Sequence, residues 1–288
     1  MRQASFLARV LLNYGTDKRC PYCNSQMTRL DARKCIVLEL RQCDNCGLRF
    51  RWPKQTTEFS EKFYQSSYKE GTYTTDLPDK ETLDKYIASG FVGSPKDFSS
   101  SIGVLKGLLP QGRVLDYGCS WGYGTYQLKR AGFEAVGFEI SKPRAQEGRK
   151  ALGVEIVDTL QNLDEMSSAS FDGIYASHVL EHLQSLREVF AFFARVLKPN
   201  GIAMVLVPNC GGKMARELGT GWGSMIGEKH TLALDADFFR KNMPHFGFQV
   251  LTLSEPYELS QVEGALRRTS SLPADGQELM VVARRISS

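Results

Sequence analysis

The stretch that most restricts the fold is Arg113 to Ser141, RVLDYGCSWGYGTYQLKRAGFEAVGFEIS. Val114 and Leu115 lead an apolar strand into Asp116, and Gly118, Gly122 and Gly124 punctuate the turn that follows. Thr125 to Ala131 fits a helix stopped by Gly132, and Phe133 to Ile140 returns as a short apolar run ending near Glu139. Strand, glycine-rich turn, helix and second strand form the βαβ unit of an α/β sheet. Glycines there let a ligand approach the backbone, and the helix N-terminus offers unpaired N–H groups. An acidic side chain about 20 residues after the first glycine is placed to bind a ribose hydroxyl pair. The stretch reads as a nucleoside-cofactor site, although the same glycines would also serve an ordinary, closely packed βαβ turn.

Charge narrows the cofactor. The nicotinamide fingerprint is G-x-G-x-x-G, whereas here the order is G-x-x-x-G-x-G, and Asp116 stands just ahead of the first glycine. A carboxylate at that place opposes a pyrophosphate and suits a ligand carrying an ammonium and a sulfonium. The segment resembles motif I of the class I S-adenosylmethionine (SAM) methyltransferases. The resemblance implies that Asp116, Gly118, Cys119, Ser120, Trp121 and Gly122 cradle the methionine end, with Glu139 and Ile140 at the ribose. Tyr117, Trp121 and Tyr123 make this turn unusually aromatic, either to narrow the pocket at the sulfonium or to pack beneath a helical cap.

Five of the seven cysteines lie within residues 20–46. Cys20-Pro21-Tyr22-Cys23 and Cys43-Asp44-Asn45-Cys46 are C-x-x-C pairs with a zinc-ribbon separation, and four thiolates close a tetrahedral ion completely, which makes the expected role structural. A disulfide framework or a redox pair fits less well in a chain read as cytosolic and without a thioredoxin-like context. Lys34 to Leu40 reads as a strand between the knuckles, with Cys35 as a packing residue. C-P-x-C, C-x-x-C-G-L-x-F, a proline and F-Y-x-x-x-Y together resemble SAM methyltransferases with a small zinc-binding N-terminal domain, often acting on sugars and other small metabolites. By that resemblance Tyr68 and Tyr73 fold over the methionine end or shape the acceptor pocket; interdomain packing is the alternative. The expected domains are a zinc ribbon over 1–62, a helical linker and cap over 63–110, and a seven-stranded Rossmann-like α/β methyltransferase domain over 111–288.

With 288 residues the chain can bury a proper core. No run approaches the ~20 apolar residues of a membrane helix. The opening MRQASFLARVLL is short and interrupted by Arg9, so no signal peptide is read and a cytoplasmic location is expected. Residues 1–55 carry 11 basic and 4 acidic side chains, a formal +7; the rest carries 25 and 28, a formal −3. A bound zinc with four thiolates adds −2 and leaves the first segment basic. Such a segment suits a phosphorylated, nucleotide-linked or nucleic-acid partner, or is simply a solvated charged surface.

Along the remaining chain, residues 79–109 read as two helices broken at Gly93-Ser94-Pro95, and Lys142 to Leu152 as a helix with Ser141 as its N-cap. Val154 to Val157 is a strand, after which the resemblance places Asp158 and Thr159 at the adenine. Phe171 to His178 is the next strand, with Ser177 and His178 facing the cleft beyond the carboxyl ends of the sheet. Glu181 and His182 fix the loop at the start of a helix running to Leu197, Lys198 to Gly201 is a turn, and Ile202 to Val207 is a strand. Gly211 to Gly227 reads as an acceptor lid or a passive loop, and a helix runs from about Asp235 to Met243. Gly247 to Leu253 and Leu279 to Ala283 resemble the antiparallel end of the methyltransferase sheet.

Methyl transfer from a sulfonium is an in-line displacement, so positioning comes first, with a general base added for an oxygen or carbon acceptor. Of the four histidines, His178 and His230 fall on segments expected to flank the cleft, and Glu228 is placed to orient His230. The expected reaction is methylation of a small acceptor, most readily a sugar, sugar nucleotide or related metabolite. The alternatives are an RNA methyltransferase docking through the ribbon, and a SAM-binding subunit without chemistry of its own.

Overall fold

The structure, a computed structural model, describes residues 6, 10–11, 13–54, 76–257, 259–260, 262, 264 and 274–286. Tyr68 and Tyr73 lie outside the described residues. The first strands, β1 (Thr28–Lys34) and β2 (Leu38–Cys43), form an antiparallel hairpin. Its turn holds Cys35 (φ 50°) and Ile36 (φ 63°) in the left-handed region, a backbone twist that matches the flanking strands. The strand expected through Lys34–Leu40 is therefore broken, and Cys35 is exposed at a hairpin tip instead of packing. β3 (Arg49–Trp52) pairs with β2.

Two helices follow, α1 (Lys80–Ser89), capped by the Asp79 carboxylate on the Thr82 N–H, and α2 (Ser99–Leu108). The break between them begins at Gly90, which takes the left-handed conformation of a helix C-cap. Then come β4 (Arg113–Tyr117), α3 (Tyr123–Arg130), β5 (Glu134–Phe138), α4 (Lys142–Leu152), β6 (Ile156–Val157), α5 (Leu160–Asp164) and β7 (Phe171–Ser177). The single helix expected from Val179 to Leu197 is instead a 3-10 turn, Leu180–His182, and a separate α6 (Leu186–Val196). The interruption has a use: the carbonyls of Glu181 and Leu183 accept the Thr231 hydroxyl, and Glu181 also accepts the Thr231 N–H at 3.0 Å. The chain ends with β8 (Leu197–Pro208), α7 (Lys213–Leu218), β9 (Leu232–Ala233), α8 (Ala236–Asn242), β10 (Phe248–Ser254) and β11 (Glu278–Arg285). The turn expected at Lys198–Gly201 is absorbed at the start of β8, with Asn200 in the left-handed region.

The large sheet runs β10-β11-β8-β7-β4-β5-β6, antiparallel at β10 and β11 and parallel elsewhere, the seven-stranded Rossmann-like arrangement expected. Alternation assigns its faces, since successive strand side chains point to opposite sides. Leu115, Ala203 and Val205 pack with Phe190 and Phe193 of α6, while Val114, Met204 and Val282 pack with Ile102 and Leu105 of α2 and Leu128 of α3. α6 buries Leu186, Val189, Phe190, Phe193 and Val196, a three-and-four spacing that lines one helical face.

The small sheet runs β1-β2-β3-β9, so its fourth strand comes from the far end of the chain. Gly211–Gly227 is packed down: Met225 and Ile226 are buried against Leu38 and Leu40 of β2. Lys34 Nζ binds the Ile226 carbonyl at 2.7 Å, and Arg51 Nη1 binds the Gly227 carbonyl at 2.6 Å. These contacts fasten the end of the segment to the small sheet.

Gly148 of α4 lies over the glycine-rich turn, where an added Cβ would stand 2.5 Å from the Trp121 carbonyl oxygen. A backbone oxygen cannot rotate away, so overpacking outweighs the ~1 kcal/mol of helix propensity that alanine gains over glycine. Gly148→Ala is expected to lower the thermal midpoint by roughly 2–10 °C, measured by calorimetry.

Candidate active site

The carboxyl ends of the parallel strands open into a cavity of about 520 Å³, within the usual range of small-molecule sites. One wall is the glycine-rich turn, through Gly118, Ser120 and Tyr123. Gly118 has φ 80°, and a Cβ there would strike Val179 at 2.4 Å, so this backbone and close approach demand glycine. The opposite wall is Ser177, His178, Glu181 and His182 after β7, closed by Lys229 and His230, with Tyr257 and Glu278 at the side.

Several residues expected at the cofactor serve the turn from behind. Asp116 is buried and accepts the Thr125 hydroxyl at 2.7 Å; burial pushes its carboxyl up to about 7. Cys119 is also buried, which drives its thiol well up, and its N–H donates to the Phe138 carbonyl. Trp121 has no exposed surface and packs on Phe91 and Tyr123, so the ring belongs to the helical cap and not to the cavity. Gly122 is the left-handed residue ahead of α3.

Glu139 ties the turn to the start of α4. Its Oε2 accepts the Ser120 N–H at 2.9 Å and its Oε1 the Ser141 N–H at 2.7 Å. Burial raises its pKa, opposed by these N–H groups and by Arg144. Ser141 precedes α4 without a side-chain cap bond, contrary to expectation. Ile140 is half-buried against the core. Asp158 is bound by Arg149 at 2.6 Å, and the Thr159 hydroxyl caps α5 by accepting the Asn162 N–H. These residues follow β5 and β6, next along the sheet from the cavity.

At the other wall, His178 has a left-handed backbone (φ 54°) and sits between two carboxylates, Glu278 at 2.6 Å and Glu181 at 3.4 Å. Burial alone would lower its pKa, but the nearby Glu181 and Glu278 carboxylates carry it up to about 10. The two carboxylates thus favour the protonated form of His178. His230 is shifted the other way, lowered by burial and by neighbouring His182. A carboxylate beside the histidines is Glu181, 3.7 Å from His182, and the backbone carbonyl of Glu228 is held by Arg51 at 3.2 Å. Facing His182 and His178 overcomes burial and holds Glu181 down to about 2.

Arg144, Lys96 and Glu278 were not singled out from sequence. Arg144 is buried and binds the Ser120 hydroxyl at 3.0 Å and Asp76 at 3.0 Å. Its signal is a cation in the first turn of a helix, against the helix dipole, where solvent offers it no reason to stay. Lys96 is buried with its ammonium over the Tyr123 ring. Glu278 opens an antiparallel strand, so it stands where the parallel strands end, opposite Pro208. Tyr257 donates to it at 2.6 Å.

Away from the cavity, Cys20 and Cys46 Sγ lie 3.4 Å apart and Cys23 and Cys43 Sγ 3.5 Å apart, and all four sulfurs fall within 4.8 Å of one another. Sulfurs 2.3 Å from a tetrahedral zinc stand about 3.8 Å apart, so the four fit one ion.

A family model described as "Methyltransferase domain" matches residues 95–253, more than half of the chain. The chain belongs to this family. Among curated relatives it is 31% identical over 104 residues to the S-adenosyl-L-methionine-dependent Diels-Alderase of Talaromyces variabilis, covering 32% of this chain and 35% of the relative. It is 32% identical over 100 residues to the ubiquinone biosynthesis O-methyltransferase of Hahella chejuensis, covering 33% and 42%. The chain thus spans well under half the length of these relatives. A solved SAM-dependent methyltransferase of Thermotoga maritima, a possible histamine N-methyltransferase, shares the fold at TM-score 0.50 and 20% identity, covering 71% of this chain and 95% of that one. No described helix is long and apolar enough to cross a membrane.

Glu139→Ala strands the Ser120 N–H in the turn and the Ser141 N–H ahead of α4. It is expected to abolish the heat of SAM binding in calorimetric titration; heat equal to that of the parent protein would take Glu139 out of the site.

Proposed function

We propose that the protein transfers the methyl group of SAM to a small-molecule acceptor, with an oxygen on a sugar, sugar nucleotide or related metabolite as the leading class. The observation that carries this reading is one cavity joining the glycine-rich turn to the His178, Glu181, His182 and His230 cluster. SAM lies along the carboxyl ends of β4, β5 and β6, its methionine end at Gly118 and Ser120, its ribose near Glu139 and its adenine near Asp158. The acceptor lies at the histidine wall. There the His178 imidazolium attracts an anionic or strongly polar group, while His182, Glu181 and His230 stand at the oxygen that loses its proton. Relatives named for O-methylation in ubiquinone biosynthesis support an oxygen acceptor.

The four N-terminal cysteines hold a structural zinc in this reading. The ribbon's basic side chains are largely engaged at home: Arg49 binds the Cys210 carbonyl and Asp235, Arg41 binds Glu39, Lys54 binds Asp17, and Lys34 and Arg51 bind carbonyls of 226–228. Cations spent in this way favour a small acceptor over RNA, since nucleic-acid affinity is carried by cations free to meet phosphates.

Two measurements test this reading. Purified protein with methyl-labelled SAM is expected to label small hydroxylated acceptors, sugar nucleotides included, and to bind RNA weakly. Tight RNA binding that falls steeply with salt, accompanied by RNA labelling, would replace the small-acceptor reading. For the ribbon, Cys43→Ser is expected to lose the zinc it helps hold and most of its soluble yield; full zinc content by metal analysis would refute the cysteine site.

A further inference from the structure

Glu181 is the one described carboxylate with both oxygens buried and neither accepting a hydrogen bond. Its side chain is 2% exposed, a costly place for a charge without close partners. The nearest groups are imidazole nitrogens, His178 Nδ1 at 3.4 Å and His182 Nε2 at 3.7 Å. Yet His182 faces the Lys229 carbonyl through Nδ1 at 3.2 Å, and His230 faces the Ser224 carbonyl through Nδ1 at 2.8 Å. A carbonyl only accepts, so each ring carries its proton on Nδ1, and the neutral form of each leaves Nε2 as a lone pair. When His182 is neutral its Nε2 lone pair looks onto a carboxylate, an arrangement that a cation between them relieves, and the two rings lie 4.8 Å apart, centroid to centroid. One ligand atom from each of Glu181, His182 and His230 lies within 4.8 Å of the others.

We infer that Glu181, His182 and His230 bind a divalent transition-metal ion at the acceptor wall of the cavity. A cation there meets carboxylate oxygens that accept no hydrogen bond and that have only imidazole nitrogens at 3.4 and 3.7 Å beside them, together with one nitrogen from each of two rings. Two imidazoles and one carboxylate are the donor set of zinc and non-haem iron sites that keep open positions. The backbone carbonyls on the far nitrogens are the outer contacts that orient metal-bound imidazoles. Fixed ligand geometry follows from the fold, because Thr231, next to His230, is bound to the Glu181 carbonyl. The inference rests on the proposed function for its role. All three residues line the cavity, so the ion would hold an acceptor oxygen and favour its deprotonated form, in place of a free His230 acting as base. The acceptor then offers a hydroxyl, or two neighbouring oxygens, able to bind a metal.

The test counts metal and needs no turnover. The full chain is loaded with zinc, desalted and analysed, and a parallel sample is titrated with Mn²⁺ alone and followed by its paramagnetic resonance. Two zinc ions per chain are expected, falling to one in Glu181→Gln and to one in Cys43→Ser. Mn²⁺, which disfavours thiolates, is expected to bind once, with affinity reduced at least tenfold in Glu181→Gln. Zinc content and Mn²⁺ affinity unchanged in Glu181→Gln would overturn the site. Should that variant fail to fold, His230→Ala is read by the same two measurements with the same consequences. SAM titration of the parent protein separates the two ideas: SAM binding with one zinc lost only in Cys43→Ser sinks the metal site alone, whereas absent SAM binding with two zinc ions sinks the methyl-transfer reading and leaves the site.

Discussion

The acceptor side of the cavity depends on a two-residue pairing between β3 and β9, in which Arg49 and Phe50 lie opposite Ala233 and Leu232. That contact, extended by the Arg51 N–H on the Thr231 carbonyl and by the Arg51 guanidinium on Gly227, ties the small sheet to the segment that carries His230. From the other direction, Thr231 is bonded to the backbone of Glu181 and Leu183. His230 is thus held between the ribbon and the loop after β7. Loops near catalytic sites are commonly mobile; here the cross-linking hydrogen bonds confine this one, and the basic side chains of the first segment are the means.

The cavity is electrically divided. At the turn, Asp116 and Glu139 are buried behind backbone that faces the ligand, and their oxygens are committed to Thr125, Ser120 and Ser141. At the opposite wall the charges are on side chains, with Glu181 and Glu278 flanking His178. The two ends therefore work by different physics. The glycine-rich turn presents a backbone shaped in advance, and the histidine wall presents ionisable groups whose states depend on one another.

Most of the large sheet was legible in the sequence because alternating apolar residues, glycine turns and the order of strands and helices agree with one another. The Arg113–Ser141 unit and the antiparallel closing pair are found as expected. What local pattern cannot show is which distant segment completes an element. β9 is two residues long and has no periodicity to read, so the fourth strand of the small sheet was invisible. The same holds for Glu181, which the fold brings from beyond β7 to the side of His182 and His230. Cys35 was misplaced because an apolar hairpin tip without glycine resembles the interior of a strand. Trp121 shows the limit of motif reading, since a residue inside a cofactor motif can have its ring on the far side of the turn.

The late completion of the small sheet has a consequence for synthesis on the ribosome. Arg51 and the Gly227 carbonyl that it holds are 176 residues apart. At ~5–20 residues per second, roughly 10–35 s pass between the emergence of the two. During that interval the β2 face bearing Leu38 and Leu40 lacks the Met225 and Ile226 that cover it in the finished protein. A nascent chain in this state exposes an apolar sheet face and an unpaired strand edge, the combination most prone to wrong pairing. Early closure of the cysteine cluster, local in sequence and complete by Cys46, would hold the ribbon in register while the rest of the chain is made.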